Sequence, residues 1–577
     1  MSERRRYLGL ALILAVFAAW PLLAPGYFLG AHDGPHTLFF LVQFDRAVAD
    51  GVLIPRWGPD HALGYGYPTF VFYSPLAYYV AEGFHLTGLG IAAAIKAAFA
   101  LSILVSCVGM FLLAEALLRQ APTDSRGFGA AAAVAAVVYT YAPYRFVDIY
   151  VRAALAESWA LSLFPWALWA FWSLATAPSR RRIAAAAATY GLLLAAHNVT
   201  ALLFTPLLGA AIIIALAASG RLPSARAWLG PIAAGALGVA LAAFSLIPSL
   251  AERGYIRQEQ WTRATYNLTD HFVYPGQLLS PLWDYGYAVA GPEDTMPFQQ
   301  GLAPVALSLA GLALGTRSRC FRPAAVLLGL GLVTYTFLMT GASGAIWRAV
   351  SLLSLAQFPW RLLGIVALCA AGLAAIAGAR LADRAGQGSA LLLALAVVVA
   401  SLPYARPQHT APDPRAEQPV GTVEFELEYT DMRGMTAWTQ HMPQDSPKVA
   451  AYLAGEALPL AETDAPGASV EPLHLGGHVQ IVRVRSETAG ELRFHTYYYP
   501  GWRAYVDGVP APVRPAGPLG VIALDLPAGE HRVTIHFGET PLRLASDWVS
   551  LAAVMGIAVL GLSPGRDHTS RNPHGNH

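Results

Sequence analysis

Long apolar runs separated by short polar breaks dominate the first 404 residues. Runs near the roughly 20 residues that a membrane helix needs lie at 7–24, 91–118, 128–143, 156–177, 183–197, 199–219, 228–250, 300–315, 323–341, 361–380, 388–404 and 547–563. The pattern predicts about twelve membrane-spanning helices, with 183–219 the hardest stretch to divide. Pro21 and Pro25 close the first run and no small-residue cleavage site follows. That run is therefore expected to remain as a span rather than leave as a signal peptide. Between 405 and 546 the period changes to two. Val423–Tyr429, His478–Val484, Glu491–Tyr499, Trp502–Val506 and His531–Phe537 read as strands, with turns at Asp507-Gly508 and Pro527–Glu530. A small β-sandwich of about 140 residues fits. The plan is a multi-span domain over 1–404, a β-rich domain over 405–546, a final span at 547–563 and a polar tail at 564–577.

Composition makes the membrane reading firm. Of 577 residues, 55% are hydrophobic and 13% charged, against about 25% charged in soluble domains. A cytosolic enzyme, a secreted protein and a disordered chain are excluded. Nearly all basic residues are Arg, as in a GC-rich prokaryote. Placing Arg4, Arg5 and Arg6 in the cytoplasm also puts Arg119, Arg126, Arg180, Arg181, Arg182, Arg221, Arg226, Arg317, Arg319, Arg322, Arg380 and Arg384 inside. The positive-inside rule then predicts a multi-pass protein of the cytoplasmic (inner) membrane, N-in and C-in, with the β-domain extracytoplasmic. The unusual polar segments, 25–90, 144–155, the corner at His197, 251–299 and 342–360, all fall on the outer face. Cys107, Cys320 and Cys369 form no disulfide framework or zinc-finger spacing.

On that face several residues could carry chemistry. Asp33 lies between His32 and His36. It reads either as a functional acid or as the cap of a helix opened by Gly34-Pro35; the two imidazoles could share a helical face and hold a divalent metal or a phosphate. Arg56 and the aromatic run around Tyr67 follow; such rings stack on sugars or prenyl chains, or simply pack as interface belt. Asp148 and Arg152 are spaced for a local ion pair. Glu157 enters an apolar run, where an acid is costly and is normally paired or functional. His197 stands at a corner between two runs. Trp360-Arg361 opens a span from the outside, where Arg runs against the charge bias; the choice is snorkelling or a forked grip on phosphate. An acid, several Arg and several His at one membrane boundary suit a lipid phosphate leaving group held by cations, with a carboxylate activating an acceptor hydroxyl.

His32-Asp33-x-x-His36, Gly64-Tyr65-Gly66-Tyr67-Pro68, Tyr150-Val151-Arg152 with Glu157, His197-Asn198-Val199-Thr200 and Gln357–Arg361 resemble bacterial membrane proteins labelled 6-pyruvoyl-tetrahydropterin synthase-related. Tyr498–Gly508 resembles the outer domain of YfhO-like membrane proteins. The pterin label fits neither the spans nor any evident zinc site. Both groups are similar to the GT-C glycosyltransferase superfamily, multi-span enzymes that use polyprenyl-phosphate sugars and carry an essential acid in the first outer loop. The resemblance implies that role for Asp33. Trp283-Asp284-Tyr285-Gly286 looks like an oligosaccharyltransferase motif but lacks its first Trp and lies in a membrane-proximal loop.

The expectation is therefore an inverting glycosyltransferase with a polyprenyl-phosphate sugar as donor and an extracytoplasmic glycan, lipid or protein acceptor. Asp33 would be the base. Arg152 and Arg361, with His36 or His197, would hold the donor phosphate. Glu157 would orient an Arg or bind acceptor, with His32, Arg56, Tyr67 and Trp360 in support. No cofactor is assigned beyond a divalent metal at His32 and His36 as an option, and no nucleic acid is expected. The rivals are a lipid or glycan transporter, which the nearly uncharged spans disfavour, and a non-catalytic cell-envelope assembly factor.

Overall fold

The computed structural model describes residues 3–119, 127–261 and 267–563; Arg126 and the tail expected at 564–577 lie outside the described residues. Among the described residues, six helices are long and apolar enough to cross a membrane: Glu3–Leu23, Ile91–Leu118, Asn198–Ala218, Pro359–Ala385, Gln387–Tyr404 and Pro541–Leu562. Two bent pairs, Ala225–Leu241 with Ala243–Ala251 and Arg322–Leu338 with Gly341–Ala349, turn by 69° and 88° and raise the number to eight if each pair is one span. By length and composition that is fewer than the expected twelve. Phe128–Thr140 and Leu302–Arg317 are apolar but only 13 and 16 residues long. At 1.5 Å per residue each falls short of a hydrocarbon core of ~30 Å. Leu155–Thr176 carries Glu157, Ser158 and Ser162 on a helix almost wholly buried among its neighbours, so its polar side chains face protein.

Leu363–Ala385 is the central post, rich in Ala and Gly and buried along most of its length. Small side chains let helices approach closely. Leu302–Arg317, Phe128–Thr140 and Arg322–Leu338 all pack on it. Gly311 shows the tolerance: a Cβ there would collide with the Leu373 carbonyl oxygen. One end of the bundle collects the Arg-rich connectors. Arg4 and Arg119 both pair with Glu115, and Arg380 lies over Phe321. At the far end of the 28-residue helix Ile91–Leu118, Lys96 donates to the Ala24 carbonyl and the Ala92 N–H to Glu417.

The strands β1 (Ala461–Thr463), β2 (Ser469–Leu475), β3 (Val479–Ser486), β4 (Gly490–Tyr497), β5 (Trp502–Val506), β6 (Val509–Ala511), β7 (Arg514–Ala516), β8 (Val521–Leu526) and β9 (Gly529–Phe537) build two antiparallel sheets, ordered β1-β4-β8-β7 and β2-β3-β9-β5-β6. Alternate residues point inward: Val482, Val484, Val533 and Ile535 from one sheet share a core with Leu492, Phe494, Ile522 and Leu524 from the other. Asp507 and Gly508, both at positive φ, make the expected tight turn between β5 and β6.

The expected first strand is a helix, Pro419–Glu428. Its alternation misleads because Val420, Val423 and Leu427 also recur at helical spacing, and they pack on Leu63, Val449 and Tyr452. The loop of Trp57, Ala62 and Tyr65 inserts into the core shared by the sheets. Gly66, at φ +80°, lies where any side chain would meet the Trp57 ring. The aromatic run is thus the joint between the helical and β parts. Tyr67 pairs through its backbone with Gly58, and its ring covers Gly434.

Candidate functional site

Asp33 precedes the helix Gly34–Ala49 in the cap position, yet its side chain makes no capping hydrogen bond. Pro35 in the first turn removes one N–H that a cap would serve. The Asp33 carboxylate is 44% exposed and lies 3.7 Å from Arg152 Nη2, a charge pair beyond hydrogen-bond reach. Two backbone bonds fix this approach: the Asp33 and His32 N–H groups donate to the carbonyls of Arg152 and Val151, at 2.6 and 3.3 Å. The acid is held beside a guanidinium by main chain and left open on its other side.

Arg152 is delivered by an irregular segment. After the short helix Pro143–Phe146, Val147–Val151 forms a π-helical turn closed by Arg152 N–H to the Val147 carbonyl at 2.8 Å. Such turns concentrate at functional sites. Ala153 then takes a left-handed conformation, φ 55°, before the helix Leu155–Thr176 begins. The extra residue per turn brings Tyr144, Asp148, Arg152 and Glu157 together. Arg152 Nη1 donates to Asp148 Oδ1 at 2.8 Å and Glu157 Oε2 at 2.9 Å. Tyr144 O–H donates to Glu157 Oε1 at 2.8 Å. All four side chains are buried.

The second cation arrives from a distant turn. Gln357, also left-handed at φ 61°, leads into Pro359–Leu362. Arg361 Nε sits 3.4 Å from Glu157 Oε2, and its Nη1 donates to the Ala356 carbonyl at 3.0 Å. Trp360 lies under Arg152, with the guanidinium carbon 4.7 Å from the ring centre, and stacks on Phe358. The Glu157 oxygens are thus occupied by Tyr144 and two Arg. The acid orients cations and has little left for an acceptor.

The imidazoles divide. His197 caps the helix Asn198–Ala218, its Nδ1 accepting the Thr200 N–H at 3.2 Å. Burial, then the Arg361 guanidinium, pushes the ring down to about 4. His32 stacks on Tyr287, with centroids 4.1 Å apart, and bonds the Tyr285 carbonyl at 3.2 Å; burial and Arg152 lower it. His36 is enclosed by Phe39, Phe40 and Phe425, and burial lowers it too. Burial thus disfavours the charged form of all three rings. His36 adjoins Asp33 electrostatically but is packed in an aromatic enclosure. No group of three or more metal-capable side chains occurs among the described residues, so His32 and His36 gather no further ligand. Arg56 is elsewhere: it pairs with Asp547 at 3.0 Å and Glu539 at 3.3 Å, and donates to the Phe244 carbonyl at 2.7 Å. It fastens the aromatic joint to the last helix.

Three participants were not assigned from the sequence. Asp148 looked like a local ion pair; it is one, but within the charge cluster. Tyr144 gave no signal beyond its aromatic neighbourhood. The segment Trp283–Tyr287, passed over for its incomplete motif, lies against His32.

A family model described as 6-pyruvoyl-tetrahydropterin synthase related domain, membrane protein, matches residues 70–407. No curated protein matches the chain. Among solved structures, it is similar to the arabinofuranosyltransferase AftD from Mycobacteria, at 17% identity and TM-score 0.44, over 70% of this chain and 26% of that one. It is also similar to the Archaeoglobus fulgidus oligosaccharyltransferase with a tethered acceptor peptide, at 15% identity and TM-score 0.43, over 72% of this chain and 55% of that one. The chain thus spans about a quarter and about half of these two.

Proposed function

The chain belongs to the family of membrane proteins described as 6-pyruvoyl-tetrahydropterin synthase related, and from that premise we propose that it is a membrane glycosyltransferase using a polyprenyl-phosphate-linked sugar. One observation carries the reading: an uncapped, half-exposed carboxylate, Asp33, stands beside a guanidinium, Arg152, that shares Glu157 with a second, Arg361. Asp33 takes the proton of an acceptor hydroxyl. The acceptor oxygen bonds to the anomeric carbon from the side opposite the phosphate, and the bond from that carbon to the phosphate oxygen breaks. The leaving phosphate keeps the electron pair, and Arg152 and Arg361 meet its charge. Glu157 and Tyr144 hold the two cations in register. Tyr287, stacked on His32 and largely exposed, offers its other ring face to a sugar or prenyl chain, while Trp360, buried against Arg152 and Phe358, seats the guanidinium.

The Arg-rich end of the bundle faces the cytoplasm by the charge bias. The site and the β-sheets then lie outside, at the inner membrane of a bacterium, and the sheets gather the acceptor. The test is to purify the protein in mild detergent and identify co-purified lipids by mass spectrometry. The expected result is a polyprenyl phosphate or its sugar conjugate in wild type, lost in Arg361→Ala. Bulk phospholipid alone in both samples would overturn the donor assignment and move weight to an assembly role.

A further inference from the structure

The charge balance of the site poses a problem for its proposed ligand. Asp33, Asp148 and Glu157 surround Arg152, and Arg361 is the second cation in contact. With every group ionised, the carboxylates exceed these guanidiniums by one. Arg145 restores balance from one turn away. It is buried, held by the Ser158 carbonyl at 3.2 Å and Ser162 Oγ at 3.1 Å, with its Nε unpartnered. A phosphate would therefore add negative charge to a buried site with no cation to spare. Uncompensated charge is strongly disfavoured in such a place.

The three acids are not equivalent. Asp33 is half-exposed and solvated. Glu157 has partners on both oxygens. Asp148 is fully buried; its Oδ1 meets Arg152, and its Oδ2 has no hydrogen-bond partner. We propose that Asp148 is a proton-holding positioning residue of the donor site, a neutral carboxylic acid whenever a prenyl-linked phosphate is bound. Arg152 then turns its charge from Asp148 to the phosphate. The proton comes from solvent: where Asp148 is ionised beforehand, one proton enters with each phosphate and leaves with it. This inference rests on the donor reading above.

The surroundings favour the neutral form. Burial first, then the Glu157 carboxylate, push the Asp148 carboxyl well above the usual carboxylate range, against the pull of Arg152 and Arg145; Asp33 adds to the upward push. Of the titratable groups in the cluster, Glu157 has partners on both oxygens, Asp33 is open to solvent, and His197, which faces Glu157 and Arg361, is held down to about 4 by burial and then Arg361.

The experiment is infrared difference spectroscopy of the full chain, carrying Asp labelled with carbon-13 at its carboxyl, with and without a short-chain prenyl phosphodiester. The probe keeps a single charge at every pH used. The wild-type complex should show a labelled protonated-carboxyl band that is missing in Asp148→Asn. In parallel, wild-type affinity should fall by up to about tenfold per pH unit wherever Asp148 ionises, while Asp148→Asn binds like acid wild type at every pH. A wild-type complex without the band overturns the proposal and leaves the donor reading intact. A band that survives Asp148→Asn overturns the assignment to Asp148, as does a pH response that vanishes only in His197→Gln. No binding of the probe to folded wild type overturns the donor reading and this inference together.

Discussion

Arg152 serves Asp148, Glu157 and Tyr144 on one nitrogen and leaves another facing Asp33. Replacing the open acid should therefore act on chemistry alone. Asp33→Asn is expected to lose about 10²–10⁴-fold in transfer rate with an unchanged melting temperature. Full activity in the folded variant would remove Asp33 as base. Glu157 is different, since its loss frees two buried guanidiniums. Glu157→Gln should cost about 3–5 kcal/mol, the usual penalty for breaking a buried pair, along with donor binding; thermal unfolding in detergent and a lipid-binding assay read the two effects. Glu157 and Arg361 were legible as charges set against the membrane rule. Tyr144 was not, because its role depends on a neighbour 13 positions away that no helical or strand period brings alongside.

The site segments bend where regular elements would not. Ala153 and Gln357, both left-handed, stand just before Glu157 and Arg361, the groups they help aim. Backbone strain of this kind costs of order 1–3 kcal/mol per residue and persists where the surroundings enforce it. Ala153→Gly is expected to raise stability by up to about 1 kcal/mol, since glycine takes this conformation freely. A fall in melting temperature would show that the Ala153 methyl, buried among its neighbours, matters more. The π turn before it was invisible in sequence because Val147–Val151 has ordinary composition. The helix Pro419–Glu428 was misread for a related reason: an alternating run satisfies two periods, and its packing on Leu63 decides between them.

Across the whole molecule, a buried ion cluster ties the sheets to the helices. Arg543 grips both oxygens of Glu252 at 2.9 and 2.7 Å, and Tyr499 O–H donates to the same acid. Arg543→Ala should cost about 3–5 kcal/mol and make the β part cleavable by protease. Unchanged proteolysis would argue for a looser joint. His478 adds a pH term. Its Nε2 accepts the Arg56 backbone N–H, its backbone N–H donates to Asp50, and burial pushes the ring down to about 3. The unfolded ring protonates near the ordinary ~6.5, so below that pH the unfolded state binds more protons. Stability is therefore complete above about 6.5 and lost as pH falls toward 3, by up to about tenfold in the folding equilibrium per unit. His478→Gln should flatten that acid limb in melting temperature against pH; an unchanged slope would assign it to other groups.

The apolar runs, the Arg-rich connectors, the tight turn at Asp507-Gly508 and most of the strands could be read from the chain because each depends on near neighbours. Hydrophobic length, charge bias and backbone period are local quantities. The number of spans could not, since the apolar run at Phe128–Thr140 folds as only 13 helical residues and Leu155–Thr176 carries Glu157, Ser158 and Ser162 against neighbouring helices. Nor could the separation of Arg56 and Tyr67 from Arg152, or the entry of Tyr287 and Asp148 into the cluster. Asp33, Glu157 and Arg361 belong to segments more than a hundred residues apart. Which of them meet, which oxygen is left without a partner and which imidazole stays neutral follow from burial and distance, and those arise only when the helices close on one another.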